Sequence, residues 1–124
     1  MKIHESAENY LETILVLQQR KGSVRSIDIA NELEFSKPSV SVAMKNLRLK
    51  GYIEVDTAGF IRLLPEGQQI AEAVLEKHRL MTRFLMALGV SEEVAAEDAC
   101  RIEHVLSDES FEAIKEHARK YINL

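Results

Sequence analysis

Between Tyr52 and Leu63 the apolar pattern of this chain changes period. Over most of its length apolar residues recur every three or four positions, the spacing of a helix that buries one face. Here Tyr52-Ile53-Glu54-Val55 and Phe60-Ile61-Arg62-Leu63 flank Asp56-Thr57-Ala58-Gly59. Two short β-rich runs around a glycine-bearing turn predict a hairpin. The expected fold class is therefore mostly α, with a small β-hairpin.

The flanking helices follow from the same pattern. Ala7, Tyr10, Leu11, Ile14, Leu15 and Leu17 predict an amphipathic helix over roughly residues 5–20, stopped by Gly22. Ser26 caps a short helix that carries Ile27, Ile29, Ala30 and Leu33. Glu34-Phe35 then makes a tight connection to Ser36. Ser36 is a good N-cap, because its hydroxyl accepts from an otherwise unpaired first-turn amide. Pro38 is tolerated in that turn, where no intrahelical bond is lost. Val40, Ala43, Met44 and Leu47 continue the helix to the stop at Gly51. After the hairpin, Pro65-Glu66 opens a long helix whose apolar set runs from Ile70 to Leu88, with Gly89 ending it. Ser91 and Ser107 start two more helices, the last reaching about Tyr121.

Composition removes several classes. The chain has 124 residues, 46% of them apolar, which suits one compact domain or two very small ones and excludes long disorder. Cys100 is the only cysteine, so there is no disulfide framework. No apolar run approaches the roughly 18 residues of a spanning helix. Ile3 to Leu17 is broken by His4, Glu5, Glu8, Asn9 and Glu12, so no signal peptide is expected. The expected setting is the cytoplasm, where a lone thiol stays reduced.

The net charge of −4 hides an asymmetry. Residues 20–50 carry seven Lys/Arg (Arg20, Lys21, Arg25, Lys37, Lys45, Arg48, Lys50) against three acids, whereas residues 66–124 carry seven against twelve. A basic block within an acidic chain is the footprint of one face that meets phosphate.

Two short helices joined by a tight turn, with a hairpin directly after, make a winged helix-turn-helix. The second helix is then the reader. Its start exposes Ser36, Lys37, Pro38, Ser39 and Ser41, followed by Lys45. Small hydroxyl residues let a helix approach the major-groove floor and bond phosphates or bases. Ser26 and, on the wing, Arg62 complete the candidate DNA-binding set. The plainer alternative is that Ser36 and Ser39 only cap and solvate a helix, in a winged domain that binds protein. Arg, Asn and Gln are absent from the reader's first two turns, so modest base readout combined with shape readout is expected.

A second constellation lies near the C-terminus. Cys100, Glu103 and His104 form C-x-x-E-H, and offsets of three and four put all three on one helix face. Thiolate, carboxylate and imidazole are three of the common transition-metal ligands. His78, late in the long helix, adds a second imidazole. Asn9 and Glu12 are three apart on the first helix and share a face. Each has an ordinary alternative: a lone cysteine packs as a small apolar residue, a histidine is hydrogen-bonded in place, and a glutamate is a surface charge. The spacing of the triplet is more specific than any of its members. His4 and His117 have no such company and read as surface residues.

These stretches together resemble the diphtheria toxin repressor family of metal-dependent bacterial regulators, including its manganese-responsive branch. The matching residues are Tyr10-Leu11-Glu12, Ser36-Lys37-Pro38-Ser39-Val40-Ser41, Glu76-Lys77-His78-Arg79-Leu80, and Asp98 to Ser107. The resemblance covers nearly the whole chain. It implies a homodimeric repressor with a winged helix-turn-helix over 1–72 that binds double-stranded operator DNA. A helical dimerisation and metal-binding domain over 73–124 would follow, with no membrane partner. Carried over position by position, it implies metal ligands at Glu12, His78, Cys100, Glu103 and His104, with Asn9 at a sixth position. Asn9 matches neither the methionine of iron-responsive members nor the aspartate of manganese-responsive ones. Glu12 is similar to the manganese branch and Cys100 to the iron branch. The donor set favours Fe2+ or Mn2+, with Co2+, Ni2+ or Zn2+ able to substitute. Thr82 and Ala96 stand where iron-type members place a glutamate and a histidine for a second site, which argues against a second metal of that kind. The metal would join the first helix to the second domain and thereby favour operator binding.

Two rival readings remain. Cys100 and His104 are one helical turn apart, as a nucleophile and its base would be. The chain shows no glycine-rich anion cradle and no oxyanion loop, so it is not expected to be an enzyme. The other rival is a winged-helix regulator that senses a small ligand or oxidation of Cys100 without metal.

Overall fold

Helix α1 (Glu5–Lys21) opens the described part of the chain. The structure, a computed structural model, describes residues 5–123; His4 lies outside them. The chain divides into two compact units, residues 1–72 and 73–124.

In the first unit α1 is followed by β1 (Val24–Arg25), α2 (Ser26–Leu33), α3 (Lys37–Leu49), β2 (Ile53–Val55) and β3 (Phe60–Leu63), and then by the start of α4 (Pro65–Ala87). Leu11, Ile14, Leu15 and Leu17 of α1 are buried, as are Ile29 and Ala30 of α2 and Val40, Met44 and Leu47 of α3. These are the apolar positions of three amphipathic helices, and burying them together is what drives the unit to fold. The expected hairpin is present. Glu54 pairs with Arg62 across it, and Asp56 closes its turn by accepting from the backbone N–H of Ala58 and of Phe60, each at 2.9 Å. Gly59 supplies the positive φ (89°) that this turn needs.

The sheet has one strand more than the hairpin. Val24 pairs with Ile61 and Arg25 with Phe60, giving an antiparallel order β1-β3-β2. The cap of α2 also differs from expectation: Arg25 is the N-cap and Ser26 the first helical residue, with the Asp28 carboxylate accepting from the Arg25 N–H at 2.8 Å. Asp28 prevails because a carboxylate at the third helical position both satisfies that amide and meets the positive end of the helix dipole. Its side chain also takes Lys21 at 2.6 Å. Lys21 first and the Arg25 amide second hold the Asp28 carboxyl below its ordinary range.

The turn between α2 and α3 is tight because Glu34 adopts a left-handed conformation (φ 58°). Phe35 then packs edge-on against Tyr10, with ring centroids 6.0 Å apart. Ser36 caps α3 as expected, accepting from the Ser39 N–H at 3.3 Å, and Pro38 sits in the first turn. A close approach anchors the base of the wing. A Cβ on Gly67 in the first turns of α4 would lie 2.1 Å from the Tyr52 carbonyl oxygen, so only glycine fits there.

The second unit holds the rest of α4, then α5 (Glu92–Val105) and α6 (Asp108–His117). Ser91 and Ser107 cap α5 and α6 by accepting from Val94 and Ser110 N–H groups. The last helix was expected to continue to about Tyr121; its final turn instead widens into a π-helical turn over Ala118–Ile122. Val74, Leu75, Met81, Ala95, Ala99, Phe111 and Ala118 are buried. No helix among the described residues is long and apolar enough to cross a membrane.

Candidate functional site

The second unit contains a buried carboxylate with no hydrogen bond among the described residues. Glu103 lies on the inner face of α5 with its side chain 0% exposed. His78 Nδ1, from α4, stands 2.8 Å from its Oε2, and His104 Nε2, the next residue on α5, stands 3.3 Å from its Oε1. Neither approach has hydrogen-bond geometry. Both Glu103 oxygens and His78 Nδ1 are buried and without a hydrogen-bond partner among the described residues. The His104 side chain is 4% exposed. Removing a carboxylate from water costs several kcal/mol unless a donor or a cation compensates it. His78 Nδ1 and His104 Nε2 thus approach opposite oxygens of one buried carboxylate, and imidazole nitrogen and carboxylate oxygen are both donors that divalent first-row transition metals take.

Consecutive residues such as Glu103 and His104 differ by about 100° around a helix, so their side chains leave α5 on either side of the inward direction, and His78 comes to Glu103 from α4. Thr82 donates its hydroxyl to the His78 carbonyl at 2.7 Å, one turn along α4. Cys100 shares the face by spacing, but it is exposed. His117 is exposed and its ring lies tilted against Tyr121, with centroids 4.7 Å apart. In the first unit, Glu12 is buried and Asn9 is half-buried one turn before it on α1; the Asn9 carbonyl accepts from the Thr13 hydroxyl at 2.8 Å.

The first unit also sorts the basic block. Arg20 pairs with Glu32 at 2.9 Å and Lys21 with Asp28 at 2.6 Å. Arg25 stacks over the Phe60 ring at 4.7 Å and donates to the Ala58 carbonyl, clamping the wing tip. Those three are engaged within the unit. Lys37, Lys45, Arg48 and Lys50 are exposed on or just after α3, and no ion pair holds them among the described residues. Ser36, Pro38, Ser39 and Ser41 are exposed beside them, whereas Ser26 is half-buried. Arg62 is bound to Glu54, its neighbour across the hairpin, by both Nε and Nη2, and this carboxylate raises its pKa. A guanidinium already paired to a carboxylate has less to gain from phosphate.

The sequence pattern did not distinguish the engaged cations from the open ones. The partners Glu32 and Asp28 lie on another helix, and their reach is a matter of packing. It also left out Val42, an apolar residue on the outer face of α3 that is 61% exposed. Its position two residues from Val40 and Met44 was the available signal.

Comparison with known proteins agrees with both halves. Residues 2–59 match the family described as iron dependent repressor, N-terminal DNA binding domain, and residues 64–121 match iron dependent repressor, metal binding and dimerisation domain. The transcriptional regulator MntR of Escherichia coli O6:H1 is 34% identical over 117 residues, which are 94% of this chain and 76% of the relative. The diphtheria toxin repressor of Corynebacterium glutamicum is 36% identical over 106 residues, 85% of this chain and 46% of that repressor. The solved structure of the manganese regulator SloR superposes with a TM-score of 0.78 at 31% identity, covering 94% of this chain and 53% of SloR. The chain thus spans about half the length of those last two proteins. It belongs to the iron-dependent repressor family of metal-dependent, DNA-binding transcriptional regulators.

Proposed function

We propose that this chain is an operator-binding repressor of metal-homeostasis genes, acting in the cytoplasm as a homodimer whose DNA affinity is set by Fe(II) or Mn(II). It binds and releases rather than catalyses. The observation that carries this reading is Glu103: a fully buried carboxylate, flanked by two imidazoles, with no hydrogen bond to either oxygen among the described residues. His78, Glu103 and His104 form the core of the donor set. Glu12, Asn9 and Cys100 are further donors, supported by the family resemblance. Bound metal would supply the positive charge that Glu103 lacks and would hold the donor side chains in one arrangement.

On the DNA side, α3 is the reader. Ser36, Lys37, Pro38, Ser39, Ser41 and Lys45 face the groove and its rims, while Ser26 and Arg62 are the outlying contacts. Two readers in a dimer dock only if their half-sites are about 34–36 Å apart or a multiple of that. A metal that favours this spacing binds the DNA-competent state better than the other. Operator DNA must then tighten metal binding by the same factor.

The test is operator affinity of metal-stripped, folded protein with and without Mn(II), alongside Co(II) absorption spectra. Binding at least tenfold tighter with metal is expected, together with cobalt spectra that change in His104→Ala. Equal affinity in chelator and in Mn(II) overturns the reading. The exposure of Cys100 favours one alternative, DNA release by thiol oxidation; it predicts loss of binding in peroxide with no metal requirement.

A further inference from the structure

We propose that Val42 is a specificity-determining residue of α3, reading the 5-methyl group of a thymine in the major groove. The inference rests on the regulator reading above and deepens it. Val40, Met44 and Leu47 are buried and mark the inward direction of α3. At about 100° per residue, Val42 stands roughly 200° round from Val40, on the side turned away from the core. It is 61% exposed.

A single exposed apolar residue is ordinary on a protein surface. The surroundings of Val42 are mostly polar, however: of its neighbours one turn away, Pro38 is apolar, but Ser39, Lys45 and Asn46 are not. Ser39 and Lys45 lie one turn before and after it, and Lys37 and Lys45 are exposed and hold no ion pair among the described residues. Charge complementarity therefore favours a polyanion against this face. The same face carries no large polar reader at its centre. Asn46, the amide nearest to it, lines a cleft with Ser6, Ala7, Tyr10 and Lys50, and so turns towards α1. Leu49 is also exposed, but it lies in the last turn, while recognition helices meet base edges with their N-terminal half. Val42, in the second turn, falls in that half.

The branched methyls of valine cannot accept or donate a hydrogen bond. The one apolar group on a base-pair edge in the major groove is the thymine methyl. A basic helix that presents valine at its centre is therefore built to prefer an A·T pair at one position of each half-site. Burying about one methyl corresponds to roughly a fourfold change in affinity per half-site, about fifteenfold for two.

The experiment selects duplexes from a random library with the full chain and Mn(II). Each thymine of the enriched half-site is then replaced in turn by uracil, which lacks the methyl. Affinity is read by fluorescence anisotropy for the unaltered protein and for Val42→Ala. One uracil replacement is expected to weaken binding roughly fourfold per half-site, and Val42→Ala is expected to be indifferent to that same replacement. The uracil arm needs no variant, so it stands whether or not Val42→Ala folds. If every uracil replacement is neutral, or if Val42→Ala keeps the full penalty, the assignment of Val42 is overturned while the regulator reading survives. If no duplex is enriched at all, the regulator reading falls, and Val42 with it.

Discussion

Lys37→Ala removes one of the four cations of residues 20–50 that hold no ion pair among the described residues. Residues 20–50 hold seven Lys/Arg, but Arg20, Lys21 and Arg25 are engaged with Glu32, Asp28 and the wing tip. Lys37, Lys45, Arg48 and Lys50 remain, eight in a dimer. If all eight meet phosphate, log K falls with log salt at a slope of about −7, from roughly −0.9 per contact. Raising salt from 50 to 200 mM then weakens operator binding by about 10⁴-fold. Lys37→Ala takes away two contacts per dimer and flattens the slope by about 1.8, with little change in sequence preference. Arg20→Gln, by contrast, leaves the slope unchanged, because that guanidinium is spent on Glu32. The assay is fluorescence anisotropy on a labelled duplex at five salt concentrations in Mn(II). A slope that Arg20→Gln flattens as much as Lys37→Ala refutes the sorting of the basic block. So does a slope for the unaltered protein shallower than about −3.

Gly67→Ala forces a Cβ to within 2.1 Å of the Tyr52 carbonyl oxygen, and the backbone there must move; thermal unfolding is expected to show a loss of roughly 1–3 kcal/mol. Glu34→Gly relieves a non-glycine residue at φ 58°, so urea titration should show a gain of up to about 1 kcal/mol. Asp28 has its pKa lowered by Lys21 and by the Arg25 amide. Its contribution is therefore present above its unfolded value and lost as pH falls through the lower folded value. Asp28→Asn should flatten the acid limb of stability against pH below about 4 and leave the rest of the curve parallel.

What was legible in the sequence is what short-range chemistry decides. Ser36, Ser91 and Ser107 each accept from an amide three residues on, and such caps depend on nothing distant. The hairpin was legible for the same reason: its turn, closed by Asp56 and Gly59, lies between strands of a few residues. Strand β1 was not legible. Two residues have no period, and Val24 becomes a strand only by pairing with Ile61, far along the chain. Spacing could not say that Cys100 is exposed while Glu103 is buried, because which side of a helix is covered depends on what packs there. Nor could it say which cations are paired, since Arg20 and Glu32 meet only once α1 and α2 have packed.

Glu103→Gln separates two accounts of the buried carboxylate by the sign of its effect. If Glu103 serves as a structural partner of His78 and His104, the amide breaks a buried ion pair, and the metal-free protein loses roughly 3–5 kcal/mol. If Glu103 is a metal ligand, the metal-free protein carries an uncompensated charge, consistent with two oxygens that lack hydrogen bonds among the described residues. Glutamine then removes that charge at nearly constant volume, and metal-free stability rises by about 1–3 kcal/mol, an increase in Tm of several degrees. The same substitution abolishes the further stabilisation by Mn(II), which for the unaltered protein grows as RT ln(1 + [metal]/Kd). Thermal melts of both proteins, in chelator and across a Mn(II) series, read all four quantities at once. A metal-free Glu103→Gln less stable than the unaltered protein, with an undiminished response to Mn(II), would remove Glu103 from the metal site and leave it a structural acid between two histidines.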